Sequence, residues 1–306
     1  MTPQAEAPAM TSVREDVMKH HEAAPNTRLM VFDIETYRTR NPAVMERIRA
    51  EAAEKQPASN TRKELKMAWH TEAAREERSR EAVAKTSQDP LIAEPLVVCW
   101  EADGEPYFAD MMSHPEREQL ALLVEWWDSQ TNQETIWCGH NICGFDLPIL
   151  LNRWRHHRIT PPEHFPQYRH GKWRGRVWDT MLRTPSKNGL GMVGLRDVCE
   201  AYGVSAAKDT VYWRGAPMDG SRVAEAFEAG EYELIVNYCA DDVSVQRELY
   251  MRQTANDTWG TFDRHSDLAE QVLEIQQAKG LSEGARAIAI LKLLESNGLM
   301  PRGAAA

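Results

Sequence analysis

The sequence has few cysteines and no long apolar run. None of its apolar runs approaches the roughly 20 residues that span a bilayer, and its first 17 residues lack the apolar core of a secretory signal peptide. The five cysteines contain no Cys-x-x-Cys pair, which argues against a disulfide framework and against a thiolate zinc site. We therefore expect a cytoplasmic protein without membrane contact, whose cysteines are small core residues.

The sequence also has fewer basic than acidic residues. Lys and Arg number 36 against 46 Asp and Glu, which gives a formal net charge of −10. This charge disfavours a polyanionic partner, although a local basic strip or bound divalent cations can invert the sign locally. With 42% apolar and 27% charged residues, the 306-residue chain has the composition of a soluble globular protein.

The first third of the chain predicts a strand followed by a charged helical insertion. Residues 1–27 have no periodic apolar pattern, and we interpret them as a flexible leader. Residues 29–36 are an apolar, β-favouring run. Residues 41–86 are rich in Glu, Arg, Lys and Ala, with a break at 56–60, and predict a helical hairpin whose second helix is capped by Ser59, Asn60 or Thr61. This insertion is either a solvated addition or a clamp over a substrate.

The rest of the chain completes a mixed α/β pattern. A turn at Asp103-Gly104 joins two predicted strands, and the resulting hairpin makes the sheet partly antiparallel. The remaining predicted elements are helices at 116–130, 146–154, 195–202, 223–228 and 232–252, and a strand at 135–140. We expect the main domain to cover 28–255, and a helical extension with amphipathic stretches at 268–278 and 285–295 to occupy 256–306.

Three acidic motifs stand at the ends of predicted elements. Asp33 and Glu35 are two positions apart in a strand, so their carboxylates face the same way and suit a hard divalent cation such as Mg²⁺ or Mn²⁺. Asp146 follows a Gly-His-Asn loop at a predicted helix start. Tyr238 and Asp242 are four apart and share a face of a late helix. Each motif alone is also compatible with an ordinary structural role.

The order of these motifs resembles the DEDD superfamily of 3′-to-5′ exonucleases, in the branch that carries a tyrosine (DEDDy). The sequence is most similar to the proofreading exonuclease domain of family B DNA polymerases and its stand-alone phage and bacterial relatives, over about residues 28–252. The resemblance implies a ribonuclease H-like fold, a mixed sheet flanked by helices, with the charged insertion and the C-terminal helices as additions. It also implies metal-dependent removal of nucleotides from DNA 3′ ends, with single-stranded DNA expected.

By this resemblance the four acids hold two divalent cations, Mg²⁺ or Mn²⁺. Asp33 bridges the two ions, Glu35 and Asp242 complete the site of the water-bearing ion, and Asp146 supports the second. Tyr238 orients the attacking water. Two such ions can generate the nucleophile and stabilise the charge of the leaving 3′ oxygen.

Nucleic-acid contacts are expected around the second motif and in the basic segment that follows it. Thr36, His140, Asn141 and Phe145 are candidates by the resemblance, although Phe145 equally suits the core. Residues 153–176 combine bases with aromatic rings, as single-strand binding sites do, and supply Arg153, Lys172, Arg174 and Arg176. The histidines of this segment fit no compact metal-ligand spacing.

Three alternatives remain open at this point. The same acids could cleave RNA, which makes a 3′-to-5′ exoribonuclease the first rival. A non-catalytic nucleic-acid-binding scaffold on the same fold is the second. The third is a proofreading subunit that serves a separate DNA polymerase or another replication or repair protein.

Overall fold

The computed structural model describes residues 11–12, 28–184, 193–205 and 211–254, with a few helical positions between 275 and 293. The chain divides into two compact units, Met1–Met251 and Arg252–Ala306. The fold and the site described below belong to the first unit. Apart from those few positions, the amphipathic stretches predicted at 268–278 and 285–295 lie outside the described residues, and the predicted boundaries at 27/28 and 255/256 stay predictions. Within the described part of the chain, no helix is long and apolar enough to cross a membrane.

A six-stranded mixed sheet is the centre of the first unit. Its strand order is β1-β4-β3-β2-β5-β8, with β2, β3 and β4 antiparallel and with β5 and β8 parallel to β2. The strands are β1 (Thr11–Ser12), β2 (Leu29–Tyr37), β3 (Glu94–Ala102), β4 (Glu105–Asp110), β5 (Ile136–Gly139) and β8 (Val177–Asp179). Two small hairpins, β6/β7 (Gln167–Arg169, Lys172–Arg174) and β9/β10 (Tyr212–Trp213, Ala216–Pro217), stand outside this sheet.

Helices cover both faces of the sheet. One core contains alternate β2 residues (Met30, Phe32, Ile34) and the apolar sides of α4 (Glu116–Gln130) and α5 (Asp146–His157). The other core contains Val31 and buried residues of α7 (Val223–Glu228) and α8 (Tyr232–Thr254). A short helix, α6 (Leu195–Tyr202), packs with α8 in a third cluster. This is the mixed sheet flanked by helices that the sequence predicts, and it agrees with a ribonuclease H-like fold.

The charged insertion contains three helices, α1 (Pro42–Glu54), α2 (Lys63–Trp69) and α3 (Glu72–Ala84), followed by a 3₁₀ turn, Lys85–Gln88. Asn41 caps α1 and Pro42 is its first residue. The predicted cap of the second helix at Ser59, Asn60 or Thr61 is wrong, because Arg62 precedes α2 without a side-chain cap and Thr71 caps the longer α3.

Two other local predictions have definite outcomes. The turn between β3 and β4 is confirmed, because Asp103 and Gly104 both have positive φ, the backbone that a two-residue hairpin turn requires. The leader was expected to lack regular structure, but Thr11–Ser12 pair with β4 in parallel. Strand β4 is the edge of the antiparallel hairpin, and its open backbone groups accept this pairing.

Candidate metal centre

Strand alternation brings Asp33 and Glu35 to the face of the sheet that α8 covers. Val31 lies in the core beneath α8, and the residues two and four positions further along β2 continue on that side. Here the strand places two partly buried carboxylates where apolar side chains would otherwise stand. A register shift between Glu35 and Thr36 interrupts the regular pairing with β3 immediately after the acids, and the pairing resumes at Thr36 and Pro95.

Helix α8 completes the acidic cluster from the opposite side. Carboxylate oxygens of Asp33, Glu35 and Asp242 lie within 4.8 Å of one another. The Cys239 thiol donates to the Asp33 main-chain oxygen at 3.4 Å, which fixes the helix against the strand. All five cysteines are free, and four are buried, so their predicted role as small core residues is confirmed.

Tyr238 lies one helical turn before Asp242 and hydrogen bonds to its carboxylate. The phenol is buried. Burial, then the charges of Glu35 and Asp242, raise the pKa of Tyr238 above its ordinary value. The phenol therefore stays neutral at neutral pH and donates its hydrogen to the carboxylate.

Asp146 reaches the same cavity from the start of α5. It is the first residue of the helix, and Phe145 before it gives no side-chain cap. Its carboxylate is buried, and burial followed by the charge of Asp33 raises the pKa of Asp146 well above its ordinary value. A bound cation would offset this repulsion, because it favours the ionised carboxylate.

The loop before α5 depends on close approach at its two glycines. A Cβ at Gly144 would lie 2.5 Å from Asn141 Oδ1, and one at Gly139 would lie 2.9 Å from Ile142 Cβ. Asp179 Oδ1 accepts the backbone N–H of Asn141 at 3.1 Å, and its Oδ2 accepts that of Cys143 at 3.1 Å. The Asp179 carboxylate therefore fixes the loop that leads to Asp146.

His140 is held by both ring nitrogens. Nε2 lies 2.9 Å from the carbonyl oxygen of Val193, so this nitrogen carries the hydrogen, and Nδ1 lies 3.0 Å from Thr180 Oγ1. Thr36 donates its hydroxyl to the carbonyl of Ser87 at 2.7 Å. Both side chains thus join the cavity wall to neighbouring segments.

A cavity of about 440 Å³ gathers most of the predicted site. The predicted residues that line it are Asp33, Glu35, Thr36, His140, Asn141, Phe145, Asp146 and Asp242. None of the described residues that line it is Lys or Arg, whereas four are acids. Four carboxylates on the wall of one cavity are a hard oxygen donor set, and such a set fits Mg²⁺ or Mn²⁺.

The predicted basic contacts lie elsewhere among the described residues. Arg153 pairs with Glu116 at 2.5 Å and is only 13% exposed, and Arg176 pairs with Glu134. Lys172 and Arg174 belong to the β6/β7 hairpin, where Tyr168 is 51% exposed and its ring centroid is 5.1 Å from that of Trp173. Two aromatic residues of this segment that the sequence suggested for base stacking, Trp154 and Phe165, are core residues instead.

One polar residue of the cavity wall was not anticipated. Gln246 donates from Nε2 to Asp33 Oδ1 at 2.8 Å, four positions after Asp242 on α8. Its spacing from Tyr238 and Asp242, a turn apart each time, was the available signal.

A comparison with protein families matches residues 90–284 to a family described as a predicted 3′-5′ exonuclease related to the exonuclease domain of PolB. The chain belongs to this exonuclease family. No curated protein matches the chain. The matched range contains Asp146, Tyr238 and Asp242 but begins after Asp33 and Glu35, so the association of the first two acids with the exonuclease site rests on the folded geometry.

Proposed function

We propose that the protein is a metal-dependent 3′-to-5′ exonuclease of the DEDDy branch, which removes nucleotides from the 3′ ends of single-stranded DNA. The observation that carries this proposal is the convergence of Asp33, Glu35 and Asp242 within 4.8 Å in a cavity that Asp146 also lines. Membership of the exonuclease family supports the same reaction class.

The acids would hold two divalent cations, with Asp33, Glu35 and Asp242 as the compact set and Asp146 on the α5 side of the cavity. When bound, such cations polarise the scissile phosphate and lower the pKa of water. Tyr238 acts through Asp242, since its phenol is bonded to that carboxylate and it is not among the described residues that line the cavity. The phenol thereby fixes which oxygen of Asp242 faces the reaction.

Substrate positioning falls to the loop and the hairpin. Asn141 and Phe145 line the cavity beside the acids, where the terminal nucleotide would lie. Tyr168 offers an exposed ring to a single strand, and Lys172 and Arg174 place positive charge on the same hairpin. Arg153 is already engaged in a largely buried ion pair, and we assign it a structural role.

The test is degradation of a 5′-labelled single-stranded DNA and of the matched RNA with Mg²⁺, Mn²⁺ or EDTA. We compare the native chain, the double variant Asp33→Ala with Glu35→Ala, and the control Asp241→Asn, which removes one charge from α8 outside the cavity wall. A metal-dependent ladder that shortens from the 3′ end, lost only in the double variant, supports the proposal. Degradation of RNA alone would replace DNA as the substrate, and no degradation of either would refute the catalytic assignment.

A further inference from the structure

Gln246 is a buried amide inside an acidic site. It is 1% exposed, it lines the cavity, and its Nε2 donates to Asp33 Oδ1 at 2.8 Å. Its Oε1 is buried and has no hydrogen-bond partner among the described residues. Buried polar atoms without partners are rare in folded proteins, because losing water without a replacement bond is unfavourable. An apolar side chain of similar size would fill this position without that penalty.

The orientation of the amide follows from its neighbour. A flipped amide would bring Oε1 against the Asp33 carboxylate, and two acceptors would face each other at hydrogen-bond distance. The N–H therefore faces Asp33 and the carbonyl faces away. A neutral donor suits this place, since a Lys or Arg would compete with a cation for the same carboxylate.

Helix α8 then bonds to the acidic cluster twice. Tyr238 hydrogen bonds to Asp242 from one turn before it, and Gln246 hydrogen bonds to Asp33 from one turn after it. Asp33 is also approached on Oδ2 by Cys239 Sγ at 3.8 Å. The Asp33 carboxylate is therefore contacted from α8 at both of its oxygens.

We propose that Gln246 is a positioning residue that holds Asp33 in the orientation needed to bind a divalent cation. This inference rests on the proposed function, since it assigns Asp33 to the metal centre. Partners that orient a metal-binding carboxylate in this way typically change metal affinity or activity by about 10- to 100-fold when they are removed.

The test variant is Gln246→Met, which keeps the length of the side chain and removes both polar groups. The matched control is Gln119→Met, because Gln119 is also a buried helical glutamine but lies on α4, away from the cavity wall. Mn²⁺ binding to the protein without nucleic acid is measured by electron paramagnetic resonance, with thermal melting and steady-state kinetics on DNA alongside. We expect Mn²⁺ affinity and kcat to fall about tenfold or more in Gln246→Met alone.

Several outcomes would overturn the inference. One is a folded Gln246→Met variant with Mn²⁺ affinity and kcat within twofold of the native chain. Another is a Gln246→Met variant that loses as much melting temperature as Gln119→Met and shows no change in Mn²⁺ affinity. If Gln246→Met does not fold, Gln246→Asn provides the same test, because its shorter amide cannot reach Asp33. A native chain that binds Mn²⁺ but degrades neither DNA nor RNA refutes the proposed function, while the Mn²⁺ comparison still decides the role of Gln246.

Discussion

Removing one acid from the cluster should stabilise the metal-free protein while abolishing its activity. The variant is Asp242→Asn, which keeps the shape and still accepts the Tyr238 hydrogen bond. At 4.8 Å, the limit within which these oxygens lie, two carboxylate charges repel by about 3.5 kcal/mol at an effective dielectric constant of about 20, and Asp242 has two such neighbours. The repulsion cannot exceed the free energy needed to protonate one of the carboxylates, which is about 5 kcal/mol at pH 8.

We therefore expect Asp242→Asn to raise the free energy of unfolding by about 2–4 kcal/mol in EDTA at pH 8, allowing for relaxation around the native cluster. For a domain of this size, each kcal/mol corresponds to about 2–4 °C in Tm, so the Tm should rise by at least about 4 °C. In Mg²⁺ the native chain should gain stability and the variant should gain less. The value of kcat should fall by about 100-fold or more, because the lost ligand stabilises charge in the transition state.

Thermal melting by circular dichroism, with EDTA or Mg²⁺, and the DNA degradation assay provide both measurements. Asp241→Asn is the control, since it removes the same charge from the adjacent position of α8 and should leave kcat unchanged. If Asp242→Asn melts below the native chain in EDTA, the three carboxylates do not repel as their spacing implies. Full activity of the variant would remove Asp242 from the metal centre.

Three further predictions concern single side chains. Tyr238→Phe should lower kcat by about tenfold and leave KM for DNA unchanged, because only the bond that orients Asp242 is lost; a loss as large as that of Asp242→Asn would give the phenol a direct role in the reaction. In EDTA, the Tm of the native chain should fall as pH rises from 5 to 8. The raised pKa of Asp146 makes the folded chain hold a proton that the unfolded chain releases near pH 3.9, so a higher pH favours the unfolded chain. Asp146→Asn should flatten this dependence of Tm on pH. Asp103→Ala should cost about 1–2 kcal/mol in urea unfolding with full activity, since Ala is disfavoured at φ 50° and the bonds to the Arg28 and Leu29 N–H groups are lost, whereas Asp103→Asn should be nearly neutral.

The sequence predicts the elements that have strong periodic or turn signals. The segment 116–130 repeats Leu and Trp at helical spacing, which predicts a helix. In the structure α4 begins at Glu116 and ends at Gln130, the predicted bounds. The β3/β4 hairpin follows from the Asp-Gly turn, because this dipeptide is one of the strongest local signals for a two-residue hairpin. In both cases a local preference and the tertiary fold require the same conformation.

Short strands in the basic segment were not predictable from the same signals. Strands β6, β7 and β8 are three residues each, too short to show an alternation of apolar and polar side chains. The turn at His170-Gly171, with both residues at positive φ, was the only local indication. What fixes β8 is its pairing with β5, a contact between residues 40 positions apart along the chain.

The acids of the site were identifiable because each has a fixed place in a motif, whereas their partners were not. Asp179 stands outside the three acidic motifs, and only the fold shows that it accepts backbone N–H groups from the loop before α5. Gln246 has the helical spacing of a site residue, but so do many core residues of a long helix. Hydrogen-bond partners across the sheet depend on geometry that a single sequence does not display.

The charge distribution links the site to substrate affinity. The chain carries a net charge of −10, four acids line the cavity, and Arg153 and Arg176 are both paired with glutamates. A nucleic-acid strand that approaches this cavity without cations meets mutual repulsion, which exposed basic groups on the β6/β7 hairpin only partly offset. Divalent cations bound by the acids would make the local electrostatic potential positive at the point where the terminal phosphate would lie. We therefore expect metal binding to be a condition for holding the 3′ end as well as for cleaving it, through the same acids that we expect to lower the stability of the protein in EDTA.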